Sequence, residues 1–308
     1  MTRAGSGGRE RTRAAAVSIV SNTLLIALKL FAGAVTGSVA ILTEAIHSGI
    51  DLIASCIAYF SVRQAEEPAD AEHRYGHEKF ENVAAAAEGV LILVGSGVII
   101  YASAHALVNG TELEKLGFGI GVVGFAALVN LLVSAWLFRR AAATDSPALE
   151  GDAAHLRTDA YTSLGVLIGL ALVHWTGYEW LDPVVALLIA GAIVITGLRL
   201  VARSWRVLVD EALPPDELAA IRTAIEQFPG GEIVGYHQLR TRRAGARRYV
   251  DLHVQFRAGT TLEDAHAIAH DLQDRIAAGL RGADVLIHLE PEDRVREDPI
   301  APAPPSAR

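Results

Sequence analysis

One cysteine, Cys56, stands in 308 residues, which excludes an intrachain disulfide framework and any thiolate metal cluster. It reads as a small apolar helix residue. The order H-E-x-x-H is absent, and no candidate general base stands beside a histidine pair in the pattern that an intramembrane metalloprotease needs. A basic bias is missing too: 27 Lys and Arg mix with 35 Asp and Glu for a net charge of -8, so nothing points to a nucleic-acid partner. Charge is scarce over the first two thirds of the chain. Hydrophobic residues make up 51% of the whole, and they fill the sequence up to about Val209 and then give way to a charged remainder.

What is there is a series of apolar runs, over 14–35, 38–62, 83–107, 116–138, 149–174 and 181–201. Each is near the roughly twenty residues that cross a bilayer as a helix. The fold class expected is therefore a polytopic α-helical membrane protein with six transmembrane helices over 14–206. Residues 1–13, with Arg3, Arg9, Arg11 and Arg13, are expected to form a disordered cytoplasmic arm. The first run has no clear small-residue cleavage site, so no cleavable signal peptide is expected.

Basic residues set the orientation. Arg63, Arg74 and Lys79, then Arg139 and Arg140, then Arg199, Arg203 and Arg206 fall on one side. On the other, Lys115 is accompanied by Glu112, Glu114, Glu179 and Asp182. The positive-inside rule places both termini in the cytoplasm, with Trp175, Tyr178 and Trp180 at the outer interface. The glycines and alanines of G-F-G-I-G-V-V-G-F let helices approach closely.

After Asp210 the texture changes. Pro214 and Pro215 open a helical stretch that ends at Pro229, Gly230 and Gly231. Two strand-like runs follow, over 234–242 and 248–257, with a turn at Ala244, Gly245 and Ala246. In the second run Val250, Leu252, Val254 and Phe256 alternate with Asp251, His253 and Gln255, the period of a half-buried strand. Thr261 and Asp264 resemble a capping box that opens a helix to about Leu280, and 283–289 reads as a last strand. The order α-β-β-α-β over 207–292 predicts a compact cytoplasmic α+β domain with its helices on one face of a small sheet. The tail, 293–308, is expected to be disordered.

The chemistry gathers on two of the apolar runs. His47 and Asp51 lie four apart in L-T-E-A-I-H-S-G-I-D, so both project from one face of a helix. His155 and Asp159 repeat the spacing in G-D-A-A-H-L-R-T-D-A-Y. A lone buried histidine is ordinarily a packed residue and a lone aspartate near a helix start a cap. Ionisable groups at membrane depth are costly, however, and two copies at one spacing point to function. Two imidazoles and two carboxylates make a tetrahedral N2O2 set whose two negative charges balance a divalent ion. Zinc fits that set best, cobalt(II) and iron(II) also accept it, and manganese and magnesium favour more oxygens. Such ligands must be deprotonated to bind, so metal and protons compete, and histidine as a residue type changes charge near neutral pH, which points to His47 and His155 as carriers of the returning proton. Glu44, one turn before His47, and Glu88 in the third run fit a proton relay, an extra ligand or a structural role. Lys29 in the first run is open to snorkelling. Asn22 and Asn130 read as interhelical hydrogen-bond formers.

Six spans, an H-x-x-x-D on the second and fifth, and an α-β-β-α-β domain resemble the cation diffusion facilitator family over about 14–292. The resemblance implies a homodimeric antiporter that exports divalent metal from the cytoplasm in exchange for protons, alternating between inward-open and outward-open states in the plasma membrane. It implies His47, Asp51, His155 and Asp159 as the transport site, with a histidine at position 47 favouring Zn2+ over Cd2+. In P-A-D-A-E-H-R-Y-G-H, Asp70, His73 and His77 match the family's loop site. His237, His253, His266, His288 and Glu290 match its cytoplasmic-domain site at the dimer interface, a metallochaperone-like domain. Glu290 departs from the pattern, standing where other members carry Asp, and His270 has no counterpart. Lys79 and Asp210 match a charge pair joining the third helix to the start of the cytoplasmic domain. The resemblance implies a transporter and no enzyme. A metal sensor or scaffold and a channel are the rival readings.

Overall fold

The computed structural model describes residues 4–36, 39–109, 117–178 and 180–293. Side chains 39–47 lie outside that description, Glu44 and His47 among them. So do Glu112, Glu114, Lys115, Glu179 and the tail beyond Asp293. The chain divides into two compact units, Met1–Arg206 and Val207–Arg308.

Among the described residues, the first unit is a bundle of six helices: α1 (Ala4–Thr36), α2 (Val39–Ala65), α3 (Lys79–Asn109), α4 (Gly117–Thr144), α5 (Pro147–Thr176) and α6 (Leu181–Leu208). Among the described residues, α1, α3, α4, α5 and α6 each contain a stretch long and apolar enough to cross a membrane. α2 is 27 residues long, and part of it lies outside the description. Large apolar side chains such as Phe31, Val98, Leu132 and Leu188 are exposed around the bundle, as lipid-facing positions of a multi-pass membrane protein must be.

Residues 4–13, expected to be a disordered arm, are helical and continue into α1. Polar partners on two other helices and just beyond the end of a third account for the extension. Arg11 pairs with Glu81 of α3, Glu10 with Arg140 of α4, and Thr12 Oγ1 donates to Glu66 Oε1 just after α2 at 2.7 Å.

Small side chains set the packing inside. Ala14, Ala15, Ala84, Ala141, Ala148 and Ala153 are buried together with Val62, Leu137, Leu149 and Leu156. α6 crosses α3 where Gly89 faces Gly197. A Cβ on either would lie 3.2 Å from the other's carbonyl oxygen. α5 has defined ends: Ser146 caps its N-terminus before Pro147, and Gly177, at φ 76°, closes it with its N–H on Val173 O at 2.8 Å. Pro at the first position and a left-handed Gly after the last are the chemically suited residues.

The second unit has the expected order: α7 (Pro215–Glu226), β1 (Ile233–Ala244), β2 (Arg247–Phe256), α8 (Leu262–Gly279) and β3 (Ala283–Pro291). β2 is central, antiparallel to β1 and parallel to β3, so α8 is the crossover that parallel pairing requires. Thr261 is the N-cap of α8: its Oγ1 accepts from Asp264 N–H at 3.1 Å and donates to Asp264 Oδ2 at 2.6 Å. Val250, Leu252, Val254 and Phe256 point into one core with Ile221 and Ile225 of α7 and Leu272 and Ile276 of α8. The other face of the sheet is left to the residues between them.

Candidate metal centres

Helical periodicity puts Asp51 on the inner face of α2 and His155 and Asp159 on the inner face of α5. In the folded bundle these three groups meet. His155 Nε2 lies 3.3 Å from Asp51 Oδ1 and 3.8 Å from Asp159 Oδ2. Asp51 and His155 are each only 6% exposed, so their charge has little solvent to share it. One nitrogen and two carboxylate oxygens converging at that burial can hold a divalent cation. His47, one turn before Asp51, is placed by the helix on the same face; its side chain lies outside the described residues.

Around this cluster stand groups that sequence reasoning placed incompletely or missed. Glu88 of α3 has no solvent exposure, and its Oε2 lies 3.9 Å from His155 Nδ1. Asp152, one turn before His155, is fully buried and accepts from Ser55 Oγ at 2.8 Å. Ser55 in turn accepts from Asn22 Nδ2 at 2.8 Å and meets Ser18 Oγ at 3.0 Å, which ties α1, α2 and α5 together beneath the site. Asp152 was legible: it stands three residues before His155, on the same helical face. Lys29 turns inward, where its Nζ donates to Ser48 Oγ at 2.6 Å.

The segment between α2 and α3 gathers a second set. His77 Nε2 lies 3.3 Å from Asp70 Oδ2, and His73 Nδ1 lies 3.4 Å from Asp70 Oδ1. Asp70 also receives the backbone N–H groups of Glu72 at 2.9 Å and His73 at 2.5 Å, an Asx turn that curls the chain around its carboxylate. The His73 N–H is the main reason its carboxyl sits below the ordinary range, against a smaller opposing effect of desolvation. Gly76, at φ 90°, reverses the chain before His77, which is buried while Asp70 and His73 are exposed.

On the free face of the sheet, register brings three histidines into one row: His237 opposes His253, and His253 opposes His288. Glu290, two residues beyond His288 on the same face, spans them. Its Oε2 is 2.8 Å from His237 Nε2, and its Oε1 is 2.8 Å from His253 Nδ1 and 3.6 Å from His288 Nε2. Burial raises the Glu290 carboxyl, but the hydrogen bonds from His237 and His253 outweigh it and hold the group below its usual range. One carboxylate thus hydrogen-bonds two of the rings, and the third, His288, stands just outside hydrogen-bond distance.

His266 is not brought to this row. It lies on α8, which covers the opposite, apolar face of the sheet, and it is exposed beside His270, Nε2 to Nε2 3.1 Å. Asp210 lies 3.5 Å from Arg242 within the second unit, while Lys79 opens α3 in the first.

Residues 15–209 match the cation efflux transmembrane domain, and residues 213–292 match the cytoplasmic domain of cation efflux proteins. The chain is 35% identical over 284 residues to the cation-efflux pump FieF of Yersinia pestis, covering 91% of this chain and 92% of that one. It is 34% identical over 277 residues to an uncharacterised transporter of Synechocystis, covering 90% and 89%. A solved chain of CzrB in its zinc form is 35% identical, covers 29% of this chain and 99% of that one, and superposes with a TM-score of 0.27. Two domains in this order and relatives matched over nearly their whole length make this chain a member of the cation diffusion facilitator family, a multi-pass membrane protein of divalent metal efflux.

Proposed function

We propose that this protein is a homodimeric Zn2+/H+ antiporter that exports zinc from the cytoplasm by alternating access. The observation that carries the reading is the buried meeting of Asp51, His155 and Asp159. With His47 added from the same face of α2, the set is N2O2, and its two carboxylates neutralise a divalent cation where water is scarce. Fe2+, Co2+ and Cd2+ are the alternative substrates of the same donor set.

Exchange with protons follows from ligand chemistry. A proton on either imidazole removes a lone pair from the cation and adds a like charge, so protonation from one side releases metal bound from the other. Basic residues at one end of the bundle, Arg63 near the end of α2, Arg74 and Lys79 before and at the start of α3, and Arg139 and Arg140 near the end of α4, support cytoplasmic termini in the cell's plasma or inner membrane. Asp70, His73 and His77 form a second zinc site in this reading. The His237, His253, His288 and Glu290 row forms a third, at a dimer contact where His266 would come from the other protomer.

The test is zinc flux into liposomes that enclose a zinc-sensitive dye, with and without an imposed proton gradient, for the wild type and Asp51→Ala. Gradient-dependent flux lost in the variant is expected. Folded wild type that moves none of Zn2+, Fe2+, Co2+ or Cd2+ would turn the reading to a metal sensor or scaffold, and flux indifferent to the proton gradient would turn it to a channel.

A further inference from the structure

We propose that Glu88 is a positioning residue of the membrane site: it accepts the Nδ1 hydrogen of His155 and so holds that imidazole with Nε2 turned to the cation. The proposal deepens the transport-site reading and rests on it.

The two edges of the His155 ring face different partners. Nε2 looks to Asp51 Oδ1 at 3.3 Å and Asp159 Oδ2 at 3.8 Å, while Nδ1 looks to Glu88 Oε2 at 3.9 Å. A neutral imidazole that gives its Nε2 lone pair to a metal carries its hydrogen on Nδ1 and must place it on an acceptor. Among the described residues, Nδ1 of His155 and both oxygens of Glu88 have no hydrogen-bond partner. Both side chains are buried, Glu88 completely. A donor without an acceptor thus faces an acceptor without a donor, across a gap about 1 Å wider than a hydrogen bond, and a small change in the Glu88 torsions closes it.

The backbone is shaped to let the carboxylate reach that edge. Gly151 lies one turn before His155 on α5, and a Cβ there would stand 3.1 Å from both Cβ and Cγ of Glu88 and 3.2 Å from Ala85 Cα. The stem of Glu88 therefore runs along the bare backbone of α5 to the ring. The ring itself lies between Glu88 and the carboxylates of Asp51 and Asp159, so Glu88 acts through His155 and does not join the ligand set. A carboxylate behind a metal-bound histidine fixes its tautomer and orientation and raises its basicity, and loss of such a partner typically lowers metal affinity about 10–100-fold.

The experiment is calorimetric zinc titration of the full-length protein in nanodiscs, with Asp70→Ala and His253→Ala in the background to silence the other two clusters. On that background Glu88→Leu is expected to bind zinc at least about tenfold more weakly, and Glu88→Gln, whose amide oxygen still accepts the Nδ1 hydrogen, to stay within about threefold of the parent. Unchanged binding in Glu88→Leu, with binding lost in Asp51→Ala, overturns the role of Glu88 alone. An equal fall in Glu88→Leu and Glu88→Gln also overturns it, because the acceptor is then not what matters. Binding unchanged by Asp51→Ala overturns the transport-site reading, and this proposal with it. Should Glu88→Leu fail to fold, 15N-histidine NMR of the zinc-loaded parent decides, with the His155 signals assigned by their loss in His155→Ala. A hydrogen on His155 Nδ1 with zinc on Nε2 supports the proposal, and zinc on Nδ1 overturns it.

Discussion

Arg11 Nη1 meets Glu81 Oε1 at 2.5 Å, and Glu81 has no exposure to solvent. Ser146 Oγ donates to the other oxygen of the same carboxylate. One buried charge on α3 thus joins the start of α1 to the N-cap of α5. Removing one partner of a buried pair strands the other, at a cost of about 3–5 kcal/mol, whereas removing both together costs far less. Arg11→Met should therefore lower the thermal midpoint of the detergent-solubilised protein sharply, and Arg11→Met with Glu81→Leu should recover most of it. A double variant as unstable as the single one would show that the pair's electrostatics do not hold these helices.

Gly89 and Gly197 make the crossing of α3 and α6 possible. A Cβ on Gly89 would stand 2.7 Å from Val201 Cγ2 and 3.1 Å from the Val201 backbone nitrogen, and one on Gly197 would stand 2.9 Å from Leu93 Cγ. Backbone has to move to admit either, and overpacking of this kind costs about 1–3 kcal/mol. Gly89→Val or Gly197→Val should loosen α6, seen as faster amide exchange over its length. Gly95→Ala and Gly97→Ala, where an added Cβ meets nothing within 4 Å, should leave that exchange unchanged.

Glu290 gives the soluble unit a pH dependence whose sign is fixed. Its folded-state carboxyl titrates below the ordinary value of 4.5, so it contributes stability that is fully present above that value and lost as pH falls through the folded one. In metal-free protein, amide exchange of β2 and β3 should be faster in Glu290→Gln than in wild type at neutral pH. The difference should shrink on acidification below about pH 4.5. A constant difference down to pH 3 would mean that the carboxylate does not stabilise the row of histidines.

Much of the architecture was legible because it follows from local rules. Run length and hydropathy identify the helices that lie in the bilayer, and alternation along 250–256 identifies the face of β2 that turns to the core. The start of α1 was not legible. Nothing local marks residues 4–13 as ordered; their helix depends on Glu81, Glu66 and Arg140, which lie far away in the chain. The placing of His266 was not legible either. Its place in the chain fits a ligand of the cytoplasmic site, but the crossover helix that carries it packs on the apolar face of the sheet, away from His237, His253 and His288.

By itself, the sequence determined which residues could share a helical face: His47 with Asp51, and His155 with Asp159. A period of 3.6 residues is enough to say so. Only the tertiary structure decided which faces meet. It brought α2 and α5 together at Asp51 and His155, and it set Asp152 beneath them on a ladder of serines. It also turned Glu88 from α3 to the back of the His155 ring. Contacts between helices depend on where small residues such as Gly151 permit backbones to approach, and that depends on all the helices at once.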